Sequence, residues 1–412
     1  MEVRHHCHPT PEAAPDGVRH HSHPTPAGPR PAPFDGVRHH FLRPAAWRVR
    51  RQVARQHASG GPNSQRFMRS GPGRFLHHRS HAPLHVLSTW TRRGARRLMG
   101  HPIRHYPPGV HTYEVIAKCC GDEMLMRPSP MALGLIALAL SEACKEHPCI
   151  RVVAFTFLSN HYHMLLQVAD DRDAPRISAF LKTLNQTIAR VLNALLGRRG
   201  HFFRGKPHIT AVLDDAAVAD RMTYSHAQAV HHGLVERCEE WIGLSSFRAV
   251  CDGKPSLEVP HFDEAAWRKA GARDSEIADF TKVLTIPLSK PLKWERLSPG
   301  ELEAARRAHE QSVRDRERDK RAERAAGERR SLPKPSTYAT VDPFSRPAGP
   351  IEHKPRPWAH GSKEAVAAYR VSYSDTLASY RVASAKFRKT RKVGVFPTGT
   401  FAPWAWGMQN VR

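Results

Sequence analysis

Two histidines one residue apart, in Asn160-His161-Tyr162-His163-Met164-Leu165-Leu166-Gln167-Val168, have the spacing that puts two imidazoles on one face of a β-strand. Strand alternation groups His161, His163, Leu165 and Gln167 on that face and leaves Tyr162, Met164, Leu166 and Val168 for a core. Two parallel imidazoles hold one divalent metal when a third ligand arrives from elsewhere. The plainer alternative is a strand with two chance histidines in a His-rich chain. A second group follows at Leu213-Asp214-Asp215-Ala216, where Asp214 or Asp215 is placed to cap a helix that runs on toward Gly233. Tyr224 and Gln228 are four residues apart, so on that helix they share a face. A tyrosine phenol is a nucleophile once activated, and an amide oxygen suits a hard cation such as Mg2+ or Mn2+. His161, His163 and Gln228 together would hold such a cation beside Tyr224; a half-exposed structural tyrosine is the alternative.

These residues must be carried by a small set of elements. A first strand is expected at His111–Ala117 and a helix at Met131–Cys144, set between Pro128 and Pro130 before it and Pro148 after it. Ile150–Leu158 and His161–Val168 read as a hairpin turning at Ser159-Asn160. Ile177, Phe180, Leu181, Leu184, Ile188, Val191, Leu192 and Leu195 trace a helical stripe that stops at Gly197. A last strand is expected near His208–Leu213. The order strand, helix, strand, strand, helix, strand predicts an α+β fold: a ferredoxin-like α/β sandwich with an antiparallel sheet.

Taken together, the residues resemble the single-tyrosine HUH transposases of the insertion-sequence-200-like family, most closely the branch associated with repetitive extragenic palindromes. The resemblance runs from about Gly109 to Val250, roughly a third of the chain. Phe157-Leu158-Ser159-Asn160-His161-Tyr162-His163 is similar to the strand with paired histidines. Tyr224, Gln228 and Val230-His231-His232-Gly233-Leu234-Val235 are similar to the catalytic helix, and Trp241 with Ser245-Ser246-Phe247 to the closing turn. Tyr162 stands where an aliphatic residue is usual, and Gln228-Ala229 replaces a common Asn-Pro, which predicts a longer helix. The resemblance implies cleavage and rejoining of single-stranded, hairpin-associated DNA through a covalent 5′-phosphotyrosine at Tyr224, with Mg2+ or Mn2+ on His161, His163 and Gln228. His232, four residues beyond Gln228, is a candidate phosphate contact or a solvated histidine. Two other classes fit the same residues: a catalytically idle hairpin-DNA-binding protein, and a metal-dependent nuclease that uses water.

The chain as a whole narrows the partner. Its 412 residues carry a net charge of +26, which makes a nucleic acid the default partner and predicts binding that weakens with salt. Arg198, Arg199, Phe202, Arg204 and Lys206 mix cations with aromatic rings, a combination suited to single-stranded DNA; the alternative puts Phe202 in the core and the cations on a solvated rim. The longest apolar run, Met131–Leu140, is too short to span a bilayer, so no membrane partner is expected. Seven cysteines without a Cys-x-x-Cys pair, and first residues without the apolar core of a secretory signal, fit a reducing cytoplasm, and the resemblance implies a bacterial cytoplasmic, nucleoid-associated protein. It would act as a monomer or homodimer.

Five segments are expected. Residues 1–98 contain the repeats Val3–Pro11 and Val18–Pro26, a third decayed copy from Asp35, and no lysine before Lys118; they read as a disordered His/Pro/Arg-rich arm, with Met99 a candidate start. Residues 109–250 form the catalytic domain and 251–300 a linker or accessory segment. Residues 301–331 read as a solvated charged helix, and 332–412 as a basic, Pro-rich and partly helical extension that either binds DNA or docks on the domain. A chain begun at Met99 is expected to nick DNA as well as the full chain does. Loss of folding or activity in that shorter chain would place residues 1–98 in the working protein.

Overall fold

The computed structural model describes residues 103–327, 331–347, 358–390, 392 and 394–402. The expectations for residues 1–98 therefore lie outside the described residues. The chain is a mixed α/β protein whose centre is a five-stranded, mostly antiparallel sheet. Its strands are β1 (Thr112–Lys118), β2 (Ile150–Phe157), β3 (His161–Val168), β4 (His208–Val212) and β7 (Ala359–His360), in the order β2-β3-β1-β4-β7. Strands β5 (Ser256–Phe262) and β6 (Thr281–Pro287) pair separately. All pairings in the large sheet are antiparallel except β4 with β7.

Two helices cover one face of the sheet. Helix α1 (Pro130–Glu146) starts where the Ser129 side chain accepts a hydrogen bond from the Ala132 amide, with Pro130 in the first turn. Helix α2 (Ile177–Leu195) turns Ile177, Phe180, Leu181, Leu184, Ile188 and Leu192 inward. They close on Tyr113, Val115, Phe155, Phe157, Tyr162, Met164, Leu166 and Val168, one continuous core. Strand alternation thus delivers Tyr162 to this core, where its hydroxyl donates to Asn185 Oδ1 at 2.8 Å.

The other face is polar and carries His161 and His163. Helix α3 (Asp215–His226), capped by Asp214 through the Ala217 amide at 2.8 Å, crosses it on Val218 and Met222. The unbroken helix expected through Gln228 is corrected here. Ala227, at φ −81° and ψ 6°, ends α3, and a short helix α4 (Gln228–His231) restarts at once. Gly233, at φ +64°, follows it in the left-handed region that glycine tolerates.

Residues past 250 pack on this module. After α5 (Phe247–Cys251), β5 and β6 lie on α1, where the Ser141 hydroxyl donates to the Thr285 carbonyl at 3.1 Å. Gly134 on α1 makes room for them, since a Cβ there would sit 3.1–3.2 Å from His261 and Pro260. Helix α6 (Glu264–Ala270) joins the two strands. Helix α7 (Pro299–Ala326) is the charged run, yet it is not a solvated rod: Leu302, His309, Val313 and Glu317 are buried along one side. Helix α8 (Lys363–Thr390) docks through Val366 and Tyr369 on the main core and through the Tyr373 hydroxyl on the Ile103 carbonyl. Among the described residues no helix is long and apolar enough to cross a membrane.

Glu317 holds α7 in place, because its buried carboxylate accepts from the Cys238 amide at 2.7 Å and pairs with Arg314 at 3.1 Å. Glu317→Ala leaves that amide without a partner and is expected to cost roughly 2 kcal/mol. The change should appear as a lower urea midpoint at unchanged slope. A loss below about 0.5 kcal/mol would mean that other contacts dock the helix.

Candidate functional site

The site forms where β3 runs beneath the end of α3 and the start of α4. His161 and His163 are 7% and 4% exposed, and Gln228 is fully buried. Cross-strand pairing puts His161 opposite Lys118, and His163 opposite both Ile116 and Thr156. Five rings then close a circuit: His161 to His163 at 5.3 Å, His163 to Tyr224 at 5.5 Å, Tyr224 to His231 at 5.7 Å, His231 to His232 at 5.3 Å, and His232 back to His161 at 5.0 Å. Tyr224 is half-buried in this circuit, while His231 and His232 lie at its exposed edge.

The hydrogen bonds fix which atoms face the site. Asn160 Nδ2 donates to the Asp122 carbonyl at 3.3 Å, so its Oδ1 is an acceptor. His161 Nδ1, 2.7 Å from that Oδ1, must therefore carry the proton, and Nε2 keeps the lone pair. His163 turns Nδ1 toward Glu114 Oε1 at 3.7 Å, which leaves its Nε2 on the far side of the ring. Gln228 Nε2 donates to the Tyr224 carbonyl at 2.9 Å, and only a nitrogen can do so. Gln228 Oε1 is consequently the free atom, buried and without a hydrogen-bond partner. Burial pushes the pKa of both His161 and His163 down, so both imidazoles are neutral at neutral pH and keep a lone pair for a ligand.

This donor set, two imidazole nitrogens and an unpartnered amide oxygen, fits a divalent cation. Among the described residues no group of three or more His, Cys, Asp or Glu side chains is arranged for a metal. Sequence reasoning had paired Tyr224 with Gln228 through continuous helix spacing; the structure joins them across the break at Ala227 through the side-chain amide.

Arginines that the sequence reading passed over surround the tyrosine. Arg221 lies 4.4 Å from the Tyr224 ring centroid, and Arg316 of α7 lies 5.8 Å from it. Both also pair with Asp220. A helical spacing of three from Tyr224 could have drawn attention to Arg221, but nothing in the sequence ties Arg316 to Tyr224.

The loop expected to bind DNA is divided. Arg199, Arg204 and Lys206 are exposed, and the Arg204 amide donates to the Lys118 carbonyl, at the same sheet end as His161. Arg198 is turned inward instead, donating to Asn193 Oδ1 at 3.0 Å and lying 3.9 Å from Glu123. Phe202 is corrected from a base-stacking ring to a core residue at 2% exposure, pinned where its carbonyl accepts from the Cys120 amide at 2.8 Å. The adjacent Phe203 is half-buried, edge-on to Tyr162 at 6.1 Å.

The closing turn supports the same strands from behind. Trp241 Nε1 donates to the Phe157 carbonyl at 3.0 Å, and the Ser245 hydroxyl meets Thr156 Oγ1 at 3.1 Å. Gly243 is needed for this approach, since a Cβ there would lie 2.3 Å from Trp241 Nε1 and 2.8 Å from the Phe157 carbonyl oxygen.

No family model and no curated protein matches the sequence. Among solved structures, a REP-associated tyrosine transposase bound to a REP hairpin is similar to the chain at 18% identity, covering 38% of this chain and 87% of its own, with a TM-score of 0.31. A putative transposase from Deinococcus radiodurans R1 is similar at 16% identity, covering 27% of this chain and 86% of its own, with a TM-score of 0.21.

Phe202→Leu is expected to lower thermal stability while leaving affinity for a labelled hairpin strand unchanged, and Phe202→Ala to cost about 3–5 kcal/mol of stability. A folded Phe202→Leu protein with tenfold weaker hairpin binding in an anisotropy titration would return that ring to the DNA surface.

Proposed function

We propose that the chain is a single-tyrosine transposase-type nickase that cleaves and rejoins single-stranded DNA at hairpin-associated sites. The observation that supports this reading is the contact of the half-buried Tyr224 ring with His163, beside His161, together with the buried, unpartnered oxygen of Gln228, whose amide nitrogen bonds the Tyr224 carbonyl. The order β1-α1-β2-β3-α2-β4, with β1 between β3 and β4, reads as a ferredoxin-like sandwich extended by β7. The segments beyond 250 then serve as an accessory sheet, a bracing helix and a docked C-terminal helix on one catalytic domain.

In this reading His161 Nε2, His163 Nε2 and Gln228 Oε1 would hold Mg2+ or Mn2+, which would supply Lewis-acid polarisation of the scissile phosphate. Tyr224 Oη loses its proton and attacks phosphorus. A P–O bond to tyrosine forms, the P–O3′ bond breaks, and the departing 3′ oxygen takes up a proton to become a hydroxyl. Because a phosphodiester is retained on the protein, a second 3′-hydroxyl reverses the step without ATP. Arg221 and Arg316 flank the tyrosine ring and offer positive charge to the phosphoryl oxygens. Arg199, Arg204 and Lys206 provide the backbone-binding rim beside His161.

A labelled hairpin-containing single strand incubated with the protein and Mn2+ is expected to give a denaturant-resistant adduct. Tyr224→Phe should eliminate it and Tyr162→Phe should not, since the Tyr162 ring lies in the opposite core. His161→Ala, His163→Ala or EDTA should abolish cleavage and leave most hairpin binding intact. Cleavage without an adduct would favour a water-using nuclease, binding without cleavage an idle hairpin-binding protein, and a nucleotide mapped to another tyrosine would overturn the site.

A further inference from the structure

Glu114 is a buried carboxylate on the polar face of β1, 4% exposed, with no part in the reading above. Its Oε1 lies 3.7 Å from His163 Nδ1 and 4.0 Å from Arg221 Nη1, and its Oε2 accepts from His360 Nε2 at 2.7 Å. Glu114 Oε1 and His163 Nδ1 are each buried without a hydrogen-bond partner, and they face one another. A buried unpaired polar atom costs about 1–3 kcal/mol, so two facing each other have reason to close. A hydrogen bond needs them only about 0.8 Å nearer, and site hydrogen bonds commonly tighten when the site is filled.

We propose that Glu114 is the positioning residue of the site, holding His163 Nδ1–H so that Nε2 faces the bound cation, and that His360 orients Glu114 for this role. The inference rests on the proposed function, because it needs a cation at His161, His163 and Gln228. Glu114 stands behind the His163 ring, on the Nδ1 side, and therefore acts through the imidazole rather than as a ligand. A carboxylate in this place fixes the tautomer and ring angle and makes the opposite nitrogen a better donor.

His360 reaches Glu114 from far along the sequence. It lies on β7, which adds in parallel to β4 and pairs His360 with Val212. Val212 and Thr210 share the polar face of β4, and Thr210 is the cross-strand partner of Glu114, so the His360 imidazole crosses β4 to the carboxylate. Asp214, the cap of α3, also accepts from the Ser362 amide at 2.7 Å, which fixes the strand beside the catalytic helix. The C-terminal region thereby reaches the metal ligands through two side chains.

The test is a Mn2+ titration of the full chain followed by electron paramagnetic resonance, with thermal melts and hairpin binding measured alongside. Glu114→Gln keeps the shape of the side chain and is expected to weaken Mn2+ binding by about 10- to 100-fold, with weaker 14N modulation of the bound ion and unchanged hairpin affinity. His360→Ala should weaken Mn2+ binding less, and the double variant should be no worse than Glu114→Gln alone, since both act through one carboxylate. Wild-type Mn2+ affinity and modulation in folded Glu114→Gln would overturn this inference and leave the proposed function standing. Should Glu114→Gln fail to fold, His360→Ala decides, and unchanged Mn2+ affinity in it overturns the inference. A wild-type chain that binds no Mn2+ would overturn the proposed function and this inference together.

Discussion

Burying polar side chains on the second face of the sheet is the constraint on which the rest of the structure depends. Strand β3 is buried on both sides: one is the main apolar core, and the other mixes a smaller apolar cluster around Leu165, Val218 and Met222 with polar groups. On the other side each buried polar group needs a partner or costs about 1–3 kcal/mol. Gln167 finds Thr112 Oγ1 at 2.7 Å and the Leu292 amide at 3.1 Å. Ser246 accepts from the Phe155 amide and lies 2.9 Å from His226 Nε2, and His226 Nδ1 lies 2.9 Å from His309 Nε2. Helix α3, helix α7, the stretch before α7 and strand β7 are the sources of these partners. Against that background, Glu114 Oε1, His163 Nδ1 and Gln228 Oε1 are left without partners in or beside the ring circuit, as are Thr210 Oγ1 opposite Glu114 and Ser225 Oγ next to Tyr224.

The motif-bearing segment ends near Val250, but the physical site does not. His309 on α7 contacts α3 at His226 and Thr223, and Arg316, two turns further on, lies over the Tyr224 ring. Arg324 donates to the Val230 carbonyl at 3.4 Å and pairs with Glu236 at 2.5 Å, holding the turn that follows α4. A helix of mostly charged residues can dock this way because its buried side is lined by side chains with hydrogen-bond partners rather than by a hydrophobic stripe. Coulombic pairing with Glu239, Glu236 and Asp220 supplements the small apolar contact of Leu302 and Val313.

Period-two alternation made β3 legible because its core face is uniformly apolar, and the hairpin at Ser159-Asn160 followed from two adjacent strand-like runs. Strand β1 and helix α1 begin within one residue of where the sequence placed them, since Pro130 and the Ser129 cap are local signals. The break at Ala227 carried no such signal; it lacks both glycine and proline. Helix α7 was misjudged as solvated because its buried positions 302, 309, 313 and 317 alternate apolar with His and Glu, which a hydrophobicity count cannot see. Phe202 was misjudged because a loop rich in arginine looks exposed, whereas the end of β1 folds over its backbone. Glu114 was invisible for a different reason: a single carboxylate in a strand has no local partner, and its two imidazoles come from residues 163 and 360.

The placement of Tyr224 follows from how its helix is anchored. At its N-terminus α3 is tied through Asp214 to both the Ala217 and Ser362 amides. At its C-terminus His226 lies between Ser246 and His309, and the Gln228 side chain bonds the Tyr224 carbonyl. The tyrosine sits in the final turn between these two anchors, half-buried, while the two histidines sit on β3, an interior strand of the sheet. Swinging α3 away would leave buried groups at both ends unpaired at once, at a cost of several kcal/mol. Tyr224 is therefore held against His163, with the Gln228 amide on its carbonyl. The phenol ring and the half-buried Arg221 and Arg316 over it are among the parts of this cluster that water reaches.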